Sequence, residues 1–298
     1  MAGIPTETAT RTTLAARPTR TMAARLTLLA RRNSIGVVGL VILLVVILLA
    51  IFAGQIAPFQ PAAQVTKRLT HPNGTYLFGT DEFGRDVLSR IIFGTRISLY
   101  VGVVSVAIAL LIGASLGLIA GYYGGWTDSV IMRVADILFA FPSVVLAIAI
   151  TGILGPSLTH AMMAIGIVYA PTFARVTRGP VLSVKEQEFV QAARAVGASN
   201  GRIIAHHILP NIVAPLIVQT TLALSTAILA EATLSFLGLG TQPPTPSWGT
   251  MLGTGRKFVE LAPWVAIFPG VAIMMTVLGF NLLGDALRDA LDPRLRGS

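Results

Sequence analysis

The chain has 298 residues, of which 54% are hydrophobic and only 12% are charged, and its mean hydropathy is +0.76. Soluble domains carry about a quarter charged residues, so this composition indicates a membrane protein with several spans. Cysteine is absent, which excludes disulfides, thiolate metal ligands and cysteine nucleophiles. The net charge of +9 comes from basic residues scattered between apolar runs, a distribution that argues against a nucleic-acid surface.

The N-terminal part of the chain predicts a polar tail followed by one span. Residues 1–31 are rich in Thr, Ala and Arg, and we expect a disordered cytoplasmic tail that contacts anionic lipid. Residues 32–53 include the apolar run IGVVGLVILLVVILLAIFA, which is long enough to cross a hydrocarbon core of about 30 Å as a helix. Because this run is longer than the apolar region of a signal peptide, we predict a retained span.

Residues 54–96 form a long polar segment that we predict to be an extracytoplasmic loop, either a lid or a brace. Within it, Asp86 can cap a short helix lying at the membrane surface, with Arg85 and Arg90 in water. The stretch TDEFGRD lacks the alternating oxygen ligands of a calcium loop, so a structural use is favoured over metal binding.

Residues 97–284 are predicted to hold five further spans. The runs lie within 97–127, 137–174, 210–240 and 261–284. The second of these runs is too long for one span, and we interpret it as two short spans joined at Gly155, Pro156 and Ser157. With the first span, the sequence therefore predicts an all-α fold with six transmembrane helices.

The basic residues predict the orientation of the chain. If the N-terminus is inside, 15 of the 22 Lys and Arg residues fall on cytoplasmic segments, as the positive-inside rule requires. Both termini are then cytoplasmic, and DALRDALD within residues 285–298 predicts an amphipathic tail on that face. Trp126, Trp248 and Trp264 are interpreted as interfacial anchors, and Asp136 is expected to pair locally with Arg133.

One cytoplasmic segment, residues 176–210, interrupts the apolar runs with a polar and basic sequence. Phe189, Ala192, Ala193 and Val196 are spaced as one apolar stripe on a short helix, which Gly197 is expected to stop. The small alanine surface would let another backbone approach closely. We interpret this helix as part of a docking surface; a loop that packs only on its own spans remains an alternative.

A second short helix is predicted after the glycine. Ser199 can cap it, Ile203, Ile204 and Ile208 can form its apolar side, and Pro210 is expected to end it. Arg194 and Arg202 would stand at the rim for carboxylates of a partner. His206 and His207 are adjacent and cannot form a metal-binding pair, so one is expected to face the interface and the other solvent.

The segment QAARAVGASNGRIIAHHILP at 191–210 resembles the cytoplasmic signature of ABC-importer permeases. Ala192, Ala193, Gly197, Leu209 and Pro210 match that signature, whereas Gln191 replaces the usual glutamate and His207 stands where isoleucine is common. Three more segments resemble the dipeptide, oligopeptide and nickel branch: FGTDEFGRDVLSRIIFGTRISLYVG at 78–102, EATLSFLGLGTQPPTPSWGTML at 231–252 and NLLGDALRDALDPRLR at 281–296.

The resemblance implies a type I importer permease in a bacterial inner membrane, with no enzymatic activity and no cofactor of its own. It implies a second homologous permease, two cytoplasmic ATPase subunits that bind ATP and Mg²⁺, and an external binding protein. Peptides are the expected substrates, with nickel or another small solute as the alternative. The predicted ATPase-docking residues are Gln191, Ala192, Ala193, Arg194, Gly197, Arg202, His207, Leu209 and Pro210.

The lysines support an external ATPase independently of the resemblance. A phosphate-binding P-loop needs lysine directly after glycine, whereas Lys67, Lys185 and Lys257 follow Thr, Val and Arg. The chain therefore has no P-loop of its own, and an ATP-driven role needs another chain for ATP hydrolysis.

Glu231 is the clearest ionisable residue inside a predicted span. It is the feature that a rival class, an ion-driven secondary transporter, would need. It lies toward the outer part of the fifth span, where we expect either a hydrogen-bonded brace to the outer loop that carries Arg85, Arg90 and Arg96 or a position on the substrate path.

Overall fold

The computed structural model describes residues 34–291, so the predicted tail at 1–31 and the last part of the predicted C-terminal tail lie outside the described residues. Within this range the regular structure is helical, apart from two isolated β-bridges. The α-helices are α1 Ser34–Ile51, α2 Ala53–Ile56, α3 Val87–Tyr123, α4 Gly125–Phe139, α5 Ser143–Leu154, α6 Leu158–Val184, α7 Glu188–Ala195, α8 Asn200–Ile203, α9 Leu209–Phe236, α10 Trp248–Gly255 and α11 Trp264–Leu291.

Four helical stretches of the described chain are long and apolar enough to cross a membrane. They are Ser34–Ile51, Val87–Tyr123, Asn200–Phe236 and Trp264–Leu291. Helices α4 and α5 are long and apolar enough only when they are taken together as one bent span, which would give five spans. Helix α6 has 27 residues, which is long enough for a span, but it is not among the helices that are also apolar enough. The predicted count of six spans therefore stays a prediction, while the helical fold is confirmed.

The predicted third span, which starts at Ile137, has a bend near its beginning that the sequence analysis missed. Helices α4 and α5 meet at an angle of 89°. The bend falls at Ala140, Phe141 and Pro142, and Pro142 precedes the first residue of α5. Proline has no N–H donor and disfavours helical geometry in the residue before it, so α4 cannot continue through this point. The turn predicted at Gly155–Ser157 is present between α5 and α6.

Helix α3 packs along α6, and glycines make the two backbones approach closely. A β-carbon added at Gly113 would lie 2.2 Å from Ala170 O, and one at Gly117 would lie 2.4 Å from Ala174 O. Small residues at such a crossing are typical of membrane helix pairs. Helix α9 packs against α3, α6 and α11, so these helices carry the buried core.

Pro210 does not separate the second short helix from the next span, so that prediction was wrong. From Asn200 to Phe236 the chain is one continuous helical stretch that contains a π turn at Ile204–Ile208. In this turn the backbone N–H of Leu209 donates to Ile204 O. Pro210 follows directly after the π turn as the second residue of α9, so the helical stretch passes through the proline without ending there.

Two predicted surface elements are instead continuous with long helices. Asp86 caps α3 as predicted, since its carboxylate accepts from the backbone N–H of Ser89 at 2.8 Å. However, α3 runs for 37 residues without a break, and Arg90 in its first turn is only 6% exposed. At the other end, α11 continues through Asp285 to Leu291, so these residues extend the last long helix and do not begin a separate tail.

Residues 57–86, which we call the cap segment, pack against the beginning of α11. Trp264 Nε1 donates to Thr80 O at 3.2 Å, and Phe78 stacks on Phe268 with ring centroids 4.0 Å apart. Trp248 Nε1 donates to Ile91 O at 3.1 Å. Because Trp248 and Trp264 are buried donors in this core, their interpretation as interfacial anchors was wrong.

Candidate functional site

The predicted helix, turn and helix are present at the end of α6. Helix α7 is followed by Gly197 with φ +83°, a left-handed conformation that glycine adopts readily. Ser199 then caps α8, since its hydroxyl accepts from the backbone N–H of Arg202 at 3.4 Å. The glycine stop and the serine cap are therefore confirmed. The predicted docking loop began at residue 176, but residues 176–184 belong to α6, which ends at Val184. Residues 185–210 are called the docking segment below.

Three apolar side chains hold the docking segment on the helical core. Val190 of α7, Ile203 of α8 and Ile208 in the π turn are each fully buried. The buried positions of Ile203 and Ile208 agree with the predicted apolar side of the second helix. Val190 was missed because it lies outside the predicted stripe, and the distant helices that bury it are not visible in local spacing.

The predicted apolar stripe of α7 faces outward and forms one wall of an open groove of about 560 Å³. Val196 is 85% exposed and Phe189 is 44% exposed, although both are large apolar residues. The groove is lined by Phe189, Ala192, Ala193, Val196, Gly197, Ala198, Arg202 and His207. Exposed apolar residues beside a cationic rim are a common feature of protein-binding surfaces.

The structure brings together five of the nine predicted docking residues in this groove and leaves four beside it. Gln191 instead donates from Nε2 to Lys185 O at 3.1 Å, which ties α7 back to the end of α6. Arg194 is exposed, and its guanidinium lies 6.0 Å from the centroid of the Tyr122 ring. Leu209 and Pro210 are exposed at the start of α9.

The two histidines differ in their surroundings. His207 lines the groove, where its ring centroid lies 6.3 Å from that of Phe189. His206 is exposed outside the groove. His207 therefore adds a polar group to the apolar wall that Phe189 forms.

Glu231 lies in a buried cluster of hydroxyl groups. Its side chain is fully buried, and Ser235 Oγ donates to its Oε1 at 2.7 Å. Ser98 Oγ of α3 and Thr241 Oγ1 make longer contacts of 3.5 Å. The hydroxyl of Ser235 also accepts from the backbone N–H of Thr241 at 3.0 Å, so the cluster joins α3, α9 and the loop after α9.

Among the described residues, hydroxyl groups contact the Glu231 carboxylate, and the three arginines of the predicted outer loop make other contacts. Arg85 and Arg90 pair with Asp81 of the cap segment, through Oδ2 at 2.6 Å and 3.4 Å. Arg96 donates to the carbonyl oxygens of Ala50 and Ile51. The arginines therefore fasten the cap segment and the end of α1, and in the described residues hydroxyl groups brace Glu231 instead.

Comparison with known proteins agrees with this architecture. Residues 113–297 match the family described as the inner membrane component of binding-protein-dependent transport systems. Residues 30–72 match the N-terminal transmembrane domain of oligopeptide transport permease C. The chain belongs to the binding-protein-dependent permeases. These are the permease subunits of ABC importers, so the chain is a multi-pass inner-membrane transport subunit and not an enzyme.

Relatives place this permease in the dipeptide and oligopeptide branch. It is 54% identical over 267 residues to the dipeptide transport system permease protein DppC of Alkalihalophilus pseudofirmus, covering 89% of the chain and 88% of the relative. It is 47% identical to the di/tripeptide permease DppC of Pseudomonas aeruginosa, with coverages of 87% and 88%. It is 46% identical to the glutathione permease GsiD of Escherichia coli, with coverages of 90% and 89%.

A solved structure supports the fold. The MetNI methionine ABC transporter, in an inward-facing conformation, is 21% identical with a TM-score of 0.55. The match covers 69% of this permease and 96% of the matched chain. The predicted importer-permease fold is thereby confirmed.

Proposed function

We propose that this permease forms half of the membrane path of an ATP-driven importer of short peptides, with a second homologous permease as the other half. The identity of 54% to a protein named as a dipeptide permease, over 89% of the chain, carries this proposal. The di/tripeptide and glutathione permeases among the relatives support the same substrate class, since glutathione is itself a tripeptide. An external binding protein would deliver the peptide.

We further propose that the docking segment receives a cytoplasmic ATPase subunit, one on each permease, and that these subunits bind the ATP and Mg²⁺. The exposed groove with Ala192, Ala193 and Gly197 on its walls supports this role, because a partner helix can approach a small-residue surface closely. Arg194 and Arg202 are exposed at its rim, so the matching ATPase surface should carry carboxylates.

The docking role requires the orientation predicted from the basic residues. Both termini and the docking segment then lie in the cytoplasm, and the cap segment lies outside. In this orientation Glu231 lies toward the outer end of α9, where we propose that it braces the outer loop to α3. The contacts with Ser98 and Thr241 support this brace.

Transport in a defined system tests the proposal. Proteoliposomes would contain both permeases and both ATPases, with the binding protein outside and Mg²⁺–ATP trapped inside. We expect a labelled dipeptide to accumulate only with internal ATP, and to keep accumulating when an ionophore removes ion gradients. Loss of uptake with the ionophore while ATP remains would support an ion-driven transporter, and accumulation of Ni²⁺ in place of the dipeptide would refute the peptide assignment.

A further inference from the structure

The last turn of α3 is joined to the docking segment by three contacts. Tyr122 Oη donates to Asn200 Oδ1 at 2.7 Å, which joins α3 to the first residue of α8. Lys185 Nζ donates to Gly121 O at 2.9 Å. The guanidinium of Arg194 lies over the Tyr122 ring at 6.0 Å. The first residue of the docking segment and two residues in its middle therefore meet the same turn of α3.

Tyr122 is held firmly on the α3 side of these contacts. It is 7% exposed, although its neighbour Tyr123 is 57% exposed, and the two rings meet edge to face at 5.1 Å. Gly121 packs so tightly on α6 that an added β-carbon would lie 2.8 Å from Val181. Because interiors packed at this density resist small shifts, the Tyr122 hydroxyl moves with α3 and α6.

Asn200 accepts the Tyr122 hydrogen bond on the side of the docking segment. It begins α8 directly after the Ser199 cap, and Ile203 on the same short helix is fully buried. Asn200 is itself exposed, so burial does not hold it against Tyr122. The hydrogen bond from Tyr122 is therefore the direct polar link that the structure gives between α8 and α3.

Beyond Tyr123 the chain turns through a joint of two glycines. Gly124 has φ +66° and Gly125 has φ +54°, conformations that residues with side chains rarely adopt. Helix α4 follows and is held to α6 by Asp128 with Arg178 and by Asp136 with Arg175. The sequence analysis paired Asp136 with Arg133, whereas the structure pairs it with Arg175, so that prediction was wrong. A displacement of the last turn of α3 would reach α4 through the glycine joint.

We propose that Tyr122 is a positioning residue for transport: its hydroxyl, bonded to Asn200, passes displacement of the docking segment to α3 and to the joint before α4. This inference rests on the proposed ATPase-docking role of the segment. It assigns a specific atom to the link between ATP hydrolysis in the partner and movement of the membrane helices. The hydroxyl makes the hydrogen bond to α8, whereas the ring contact with Arg194 and the Lys185 contact with Gly121 do not need it. Phenylalanine should therefore keep the packing and reduce the transmission.

The test compares Tyr122→Phe with Tyr123→Phe in the complete transporter, with both permeases and both ATPases in proteoliposomes. Three quantities are measured: ATPase subunits retained on purification, thermal stability of the complex, and dipeptides imported per ATP hydrolysed. For Tyr122→Phe we expect normal retention and stability, with dipeptides per ATP reduced about two- to tenfold, the range for one hydrogen bond. Tyr123→Phe removes an exposed hydroxyl and should leave all three quantities unchanged.

Variants of Asn200 test the same hydrogen bond from the acceptor side. Asn200→Ala should lower dipeptides per ATP as Tyr122→Phe does, and the double variant should be no worse than either single variant, because both remove the same bond. Asn200→Asp keeps an oxygen acceptor and should retain most of the coupling. Additive losses in the double variant would show that the two residues act separately and would overturn the inference.

The remaining outcomes separate this inference from the proposed function. If the native complex imports dipeptide with ATP while Tyr122→Phe and Asn200→Ala couple normally, the link is wrong and the proposed function stands. If Tyr122→Phe loses its ATPases or its thermal stability, the hydroxyl supports the docking surface itself and the inference is overturned. If the native complex neither retains ATPases nor uses ATP, the proposed function and this inference both fail.

Discussion

The Glu231 side chain joins two helices, α3 and α9, to the loop after α9. A buried carboxyl group needs hydrogen-bond partners, and Ser235, Ser98 and Thr241 supply them from three parts of the chain. Gly240 lies against the same cluster, since an added β-carbon there would be 2.2 Å from Ser235 Oγ. The loop after α9 is therefore fixed where it leaves the helix.

Replacement of Glu231 should distinguish a brace from a position on the substrate path. Glu231→Ala leaves buried hydroxyl groups without partners and should lower the free energy of unfolding by about 1–3 kcal/mol. Glu231→Gln keeps the shape and most hydrogen bonds, so its loss should be much smaller. Thermal unfolding in detergent measures both. The exposed Glu260 is the matched control, because Glu260→Gln and Glu260→Ala should change the stability little.

A different pattern would contradict the brace. In that pattern both Glu231 variants fold and assemble normally, and Glu231→Gln alone changes the preference between cationic and neutral dipeptides. The carboxylate would then contact passing substrate, and the hydroxyl cluster would be part of the path.

At the scale of elements, the docking segment is attached to the helical core on one side of α7 and is exposed on the other side. Val190, Ile203 and Ile208 are buried, whereas Phe189 and Val196 on the other side of α7 are open. Two short helices cannot be stable alone in water, since helices of this length gain their stability from packing. Their attachment to α3, α6 and α9 therefore determines the shape and the orientation of the groove.

Gly197 is the residue that sets the angle between the two short helices. Gly197→Val should impose backbone strain of about 1–3 kcal/mol at φ +83°, although no atom lies within 4 Å of the added β-carbon. We expect the variant to remain in the membrane but to weaken ATPase association or uncouple ATP hydrolysis from uptake. Co-purification of the ATPases and the number of dipeptides imported per ATP measure these effects.

Gly201→Val is the matched control for that substitution. Its added β-carbon also meets no atom within 4 Å, and Gly201 is not among the glycines with positive φ, so it adds bulk without the strain. Loss of ATPase association in Gly197→Val alone would identify turn geometry as the cause. Normal assembly and normal uptake in Gly197→Val would show that this turn does not shape the docking surface.

At the scale of the whole molecule, the distribution of charge should decide the orientation in the membrane. Since the native chain has no cysteine, labelling of a single introduced cysteine shows on which side of the membrane that position lies, with no labelling of native residues. Ser199→Cys in the docking segment should react with a membrane-impermeant maleimide only after the membrane is opened. Gly74→Cys in the cap segment, where an added β-carbon meets no atom within 4 Å, should react in intact cells. Labelling of Ser199→Cys in intact cells would refute the proposed topology.

Features that depend on short stretches of sequence were predictable. Apolar runs identify α1, α3, α9 and α11 because the bilayer demands uninterrupted hydrophobic length. The Ser199 cap, the Asp86 cap and the left-handed Gly197 follow from local backbone chemistry, and each is confirmed. The resemblance of the 191–210 segment identified the family before any geometry was known.

Features that depend on which distant residues meet were decided by the tertiary structure alone. The sequence does not show that Trp248 and Trp264 are buried donors, that hydroxyl groups and not arginines hold Glu231, or that Tyr122 reaches Asn200. Tyr122 and Asn200 are 78 positions apart, and their contact exists only because α3 packs on α6 and brings the docking segment to its last turn. Local spacing specifies helices and caps, whereas a polar contact between helices requires their packing in three dimensions.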